Sequence, residues 1–106
     1  MRMIAAALLF LSSASSAFAG YVDTPQCRRD LATAERSLGA TLRDLDRNKQ
    51  ASTAQRCAAW RRHVEVMRRA SVVYRQCSTG RERAENVGQM DGSVADFQEI
   101  IARLCR

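Results

Sequence analysis

The stretch Thr24-PQCRRDLATAERSLGATLRDLDRNKQASTAQRCAAWRRHVEVMRRASVVYRQ-Cys77 reads as two helices joined by a tight turn, with a cysteine near each outer end. Thr24 suits an N-cap and Pro25 the first helical position, where its missing N–H is not needed. Cys27, Leu31, Ala34, Leu38, Leu42 and Leu45 follow at steps of three and four, a narrow apolar stripe of helical period. Gly39 weakens that helix by up to about 1 kcal/mol relative to alanine without breaking it. The stripe stops at Asn48-Lys49-Gln50. Ser52-Thr53-Ala54-Gln55 has the Ser-x-x-Gln form of a capping box and opens a second helix. Trp60, His63, Val64, Met67, Ala70, Val73, Tyr74 and Cys77 give that helix a wide apolar face.

Four cysteines, Cys27, Cys57, Cys77 and Cys105, allow three pairings. In an antiparallel helical hairpin, residues equidistant from the turn lie side by side. The midpoint of Cys27 and Cys77 is residue 52, inside the expected turn, so these two meet at the open end. Cys27 and Cys57 are kept apart by the helical rise of about 1.5 Å per residue, whereas a disulfide needs Cα atoms within about 7 Å. Cys57 is therefore assigned to Cys105. Each bridge closes a loop of about fifty residues and stabilises the fold by roughly 4 kcal/mol on the chain-entropy argument.

Beyond Cys77, Ser78-Thr79-Gly80 reads as a stop, with Gly80 suited to a left-handed C-cap. Residues 81–92 are expected to make a helical turn or two and then a loop, because Gly88 and Gly92 interrupt them. Ser93-Val94-Ala95-Asp96 resembles a second capping box. Val94, Phe97, Ile100, Ile101 and Leu104 form a third stripe ending at Cys105. The expected fold is all-α: a three-helix bundle made of a long antiparallel hairpin and a shorter C-terminal helix, stapled by Cys27–Cys77 and Cys57–Cys105.

The N-terminal end reads as a secretory signal peptide. Arg2 supplies the positive start, residues 4–11 (IAAALLFL) the apolar run, and Ala17-Phe18-Ala19 the small-x-small cleavage pattern. An apolar run of this length is far below the ~20 residues of a spanning helix. Residues 1–19 are expected to be removed, leaving 20–106 as a single domain with a loose leader at 20–24 and no transmembrane segment. Export to the periplasm or the medium gives the cysteines an oxidising compartment. A domain this small buries only about 60% of its unfolded surface, so its core needs such reinforcement.

Without Arg2 the chain holds 16 basic against 11 acidic residues, a net charge of +5, and all but Lys49 of those basic residues are arginines. The second helix alone, residues 53–77, has six arginines and one acid, Glu65. Arg61, Arg68 and Arg75 repeat every seven residues, as do Arg62 and Arg69, on the side away from the apolar face, with Val72 among them. Arginine makes forked hydrogen bonds to carboxylate and phosphate. The sequence therefore points to a non-enzymatic exported binding or structural module whose arginine face meets an anionic envelope component or an acidic protein. The alternative is a small inhibitor or accessory subunit that grips one envelope protein through the loop at 82–92. A metal carrier built on His63 and Met67, with Met90 nearby, is a third reading, since thioether sulfur suits Cu(I). A solvated charge run is the plainer account of the arginines, and ordinary core packing the plainer account of His63 and Met67. Monomer or weak oligomer fits this size.

No cofactor is expected. The cysteines lack the short spacings of metal or redox motifs. The single histidine sits on a packing face, and Glu82/Glu85 and Asp44/Asp46 lie beside arginines as solvated pairs do. Nucleic acid is not expected as a partner, because no aromatic residues interleave with the arginines to stack on bases. Tyr74-Arg75-Gln76-Cys77 resembles a helix end in small disulfide-bonded periplasmic proteins of the lysozyme-inhibitor type. The other cysteine spacings differ from that family's, and membership does not follow from four residues.

Overall fold

The computed structural model describes residues 20–106; the expected signal peptide at 1–19 lies outside the described residues. Three helices follow one another: α1 Pro25–Asn48, α2 Thr53–Cys77 and α3 Gly80–Leu104. Thr24 caps α1, its hydroxyl accepting from the Cys27 amide at 3.1 Å. Ser52 and Gln55 form the full reciprocal capping box that opens α2. These caps satisfy amide donors that a helix start leaves unpaired.

The cysteines pair as the hairpin geometry requires. Cys27 joins Cys77 with Cα atoms 5.3 Å apart, and Cys57 joins Cys105 at 5.7 Å. α2 is the central element. It packs along both α1 and α3, while no Cα of α1 comes within 8 Å of one in α3. Ala34, Ala59 and Ala70 are buried where the helices approach, and their small side chains let the backbones come close. Cys27, Cys57, Val64, Met67 and Cys77 complete the apolar core. α3 contributes no buried residue. Leu42, assigned by spacing to the packing stripe of α1, is 55% exposed.

Three local expectations need correction. The C-terminal helix is not the shorter one: α3 has 25 residues and runs without a break through Gly88 and Gly92, so residues 81–92 are helix and Ser93 starts nothing. Val87, Met90, Val94, Phe97 and Ile101 continue one 3-4 stripe across both glycines. Both glycines face open space. Their cost of about 1 kcal/mol each is outweighed by the partial burial of the whole stripe against α2. Gly80 does hold a positive φ of 54°, but as the first residue of α3; Ser78 is the C-cap of α2. The leader is not loose. Tyr21 pairs antiparallel with Ser78, through Val22 N–H to the Cys77 carbonyl at 2.8 Å and Thr79 N–H to the Gly20 carbonyl at 2.7 Å. The exposed backbone groups of the α2–α3 turn thus find partners in residues 20–22.

Candidate functional site

All five arginines singled out by spacing stand exposed on α2. They form two edges and not one face. At about 100° per residue, the row Arg61/Arg68/Arg75 and the row Arg62/Arg69 lie about a third of a turn apart. Glu65 and Val72 occupy the ridge between them, and Val72 is 53% exposed.

The first row borders α3. Arg61 Nη2 donates to the Cys105 carbonyl at 3.3 Å, and Arg75 Nη2 to Asp91 Oδ2 at 2.7 Å. Asp91 also accepts from the Ser71 hydroxyl at 2.8 Å. That hydrogen bond, then the Arg75 charge, holds its carboxyl below the ordinary carboxylate range. The second row borders α1, where Arg62 donates through Nε and Nη2 to Asp44 Oδ2 at 2.9 and 2.7 Å. Screened by solvent, these exposed pairs add little to stability; their effect here is to fix where three guanidinium groups point. Arg68 and Arg69 differ. Every ion pair among the described residues involves other side chains.

A shallow groove runs beside each of these two. Arg69 edges a groove of about 280 Å³ between α1 and α2, where Ala34, Val66, Ala70 and Val73 form the floor and Asp30, Thr33 and Ser37 the polar side. Arg68 and Arg61 edge one of about 410 Å³ between α2 and α3, lined by Val64, Ile101 and Ala102 together with Glu65 and Gln98. A guanidinium above an apolar strip suits an anionic group carried on a less polar body.

His63 is buried at 4% exposure, and its Nδ1 lies 2.6 Å from Thr41 Oγ1 of α1. The Thr41 hydroxyl also reaches the Ser37 and Leu38 carbonyls, at 3.2 and 3.3 Å, so it can donate there while accepting from Nδ1–H. Phe97 of α3 meets the imidazole edge-on with ring centres 5.2 Å apart. Burial lowers the pKa of this histidine. Its ring therefore ties three helices together. Met67, its proposed co-ligand, is 2% exposed and packed in the core. Met90 lies half-buried on α3 and not in a loop. Among the described residues no three or more His, Cys, Asp or Glu side chains gather to hold a metal ion.

Trp60 is half-buried, with the Arg56 guanidinium 5.2 Å above its ring. Burial, then the charges of Glu35 and Tyr21, raises the pKa of the Tyr74 hydroxyl. Three of the four acids form ion pairs as expected: Asp44 meets Arg62, Asp46 meets Lys49 at 3.1 Å, and Glu85 lies 3.9 Å from Arg81, whereas Glu82 is in no ion pair among the described residues. The surface assigned to an inhibitor or accessory subunit at 82–92 is the first half of α3. A partner there would meet a helix, not a loop.

No helix among the described residues is long and apolar enough to cross a membrane. No family model matches the chain, and no curated protein or solved structure matches it.

Proposed function

We propose that this chain is an exported module, periplasmic or secreted after loss of residues 1–19, that docks an anionic envelope component through α2 without catalysing a reaction. Two disulfides in so small a domain suit an oxidising compartment. The observation that carries the docking reading is the pair Arg68 and Arg69. They are adjacent and exposed, have no ion-pair partner among the described residues, and stand beside exposed Val72 between two grooves of mixed apolar and polar lining, each with one carboxylate, Asp30 or Glu65. Arg61, Arg62 and Arg75 are already held by a carbonyl and two carboxylates. They supply a fixed positive frame while Arg68 and Arg69 supply the free forks.

Co-sedimentation with phosphatidylglycerol vesicles, with lipopolysaccharide and with an acidic cell-wall polymer, each at low and high salt, tests the reading. A basic side chain near an anionic surface contributes about 1 kcal/mol. Reversing both, Arg68→Glu with Arg69→Glu, should therefore weaken binding by at least about tenfold, and salt should weaken the wild type. Binding that survives both the reversal and high salt rejects the arginine pair as the contact.

A further inference from the structure

Residues 20–22 close the end of the bundle where α2 turns into α3, next to the Cys27–Cys77 bridge. Two backbone hydrogen bonds hold them there, from Thr79 N–H to the Gly20 carbonyl and from Val22 N–H to the Cys77 carbonyl. Gly20 has a φ of 93°, which L side chains rarely adopt, and a Cβ built on it would overlap Glu82 Cγ and stand 3.6 Å from the Glu82 carboxyl carbon. Standard bond lengths then place the Gly20 nitrogen within about 6 Å of that carboxyl carbon. Glu82 is half-buried in the first turn of α3. Its carboxylate takes part in none of the ion pairs among the described residues. A half-buried carboxylate with no ion-pair partner among the described residues thus stands beside the nitrogen of Gly20, the first described residue.

We infer that Ala19–Gly20 is the processing junction and that the α-ammonium left on Gly20 pairs with Glu82. This rests on the export reading above. A signal peptidase adds water across the peptide bond. The carboxyl group stays on Ala19, and the amine on Gly20 binds a proton. Before cleavage that nitrogen is an uncharged amide, so Glu82 gains its counter-ion only on maturation. The pair also offsets the repulsion between the new ammonium and the positive N-terminal end of α3. The absence of a Cβ at position 20 is what leaves room for Glu82 to come close in the mature chain.

The test uses protein recovered after export with its own leader. Intact mass reads the N-terminus. A chain that keeps residues 1–19 overturns the export reading and the processing site with it; one that starts elsewhere than Gly20 overturns the processing site and the ion pair but leaves export standing. On the chain starting at Gly20, NMR follows the pH dependence of the Gly20 Cα resonance in wild type and in Glu82→Gln. An ordinary terminal amine titrates near 7.7–8.0. The wild type should titrate about half a pH unit higher, roughly a threefold gain in proton affinity, and the variant should return to the ordinary range. In a Lys49→Arg background the terminal amine is the sole amine to acetylate. Acetylation should lower the denaturation midpoint with Glu82 present and leave it unchanged in Glu82→Gln. Equal titration in both proteins, or an acetylation effect independent of residue 82, overturns the ion pair while leaving the processing site standing.

Discussion

His63 is the residue on which all three helices converge, and it is the only histidine in the chain. Burial holds its pKa in the folded protein below the ordinary 6.5. The unfolded chain therefore takes up the proton first as the solution is acidified. Stability is complete above about pH 6.5 and falls as pH drops from there through the folded value. Urea midpoints measured between pH 5 and 8 should show that decline, and His63→Gln should flatten it. A wild-type midpoint constant across that window would contradict the buried neutral ring. Met67 makes a different residue-scale prediction. It is the largest fully buried non-cysteine side chain, so Met67→Ala should cost about 2–5 kcal/mol in denaturant unfolding.

At the scale of the elements, local chemistry set α1 and α2 and tertiary packing set α3. The Thr24-Pro25 start and the Ser52–Gln55 box were legible because each depends on residues within one turn. α3 was legible only in part, because two glycines argue locally for a loop while a stripe facing α2 argues for a helix, and burial outweighs propensity. Two contrasts check this. Ser52→Ala should cost about 0.5–2 kcal/mol of stability, whereas Ser93→Ala, inside α3, should cost far less. Gly88→Ala and Gly92→Ala should each stabilise the protein by about 0.5–1 kcal/mol, since neither site has an atom within 4 Å of a new Cβ. Thermal or denaturant unfolding reads all four, and a loss of stability in the glycine variants would contradict a continuous helix. The register was more informative than the spacing of arginines alone. Thr41 and His63 share the midpoint 52 of Cys27 and Cys77, and Ser71 and Asp91 share the midpoint 81 of Cys57 and Cys105. Asp44 and Arg62 have midpoint 53, one residue from that of the first cysteine pair, and so also lie side by side. The register thereby splits the arginines between α1 and α3 edges, which a helical count along α2 by itself does not show.

For the whole molecule, the composition of the core decides what holds the fold. No leucine, isoleucine or phenylalanine among the described residues is buried; cysteine, alanine, valine and methionine fill the interior. α1 and α3 meet through α2 and not through close backbone contact, so each outer helix is joined to the centre by one helix–helix interface and one disulfide. Each bridge contributes about 4 kcal/mol on the chain-entropy argument, against a total of about 5–15 kcal/mol for a typical domain. The cross-links are therefore the main source of order, and the arginine edges of α2 keep their places because of them. Far-UV circular dichroism across a guanidinium titration, on the oxidised chain and on the same chain fully reduced, measures this directly. The oxidised protein should unfold in one cooperative transition, and the reduced protein should have lost most of its helix before denaturant is added. A reduced chain that keeps its helical signal and unfolds at the oxidised midpoint would contradict the account.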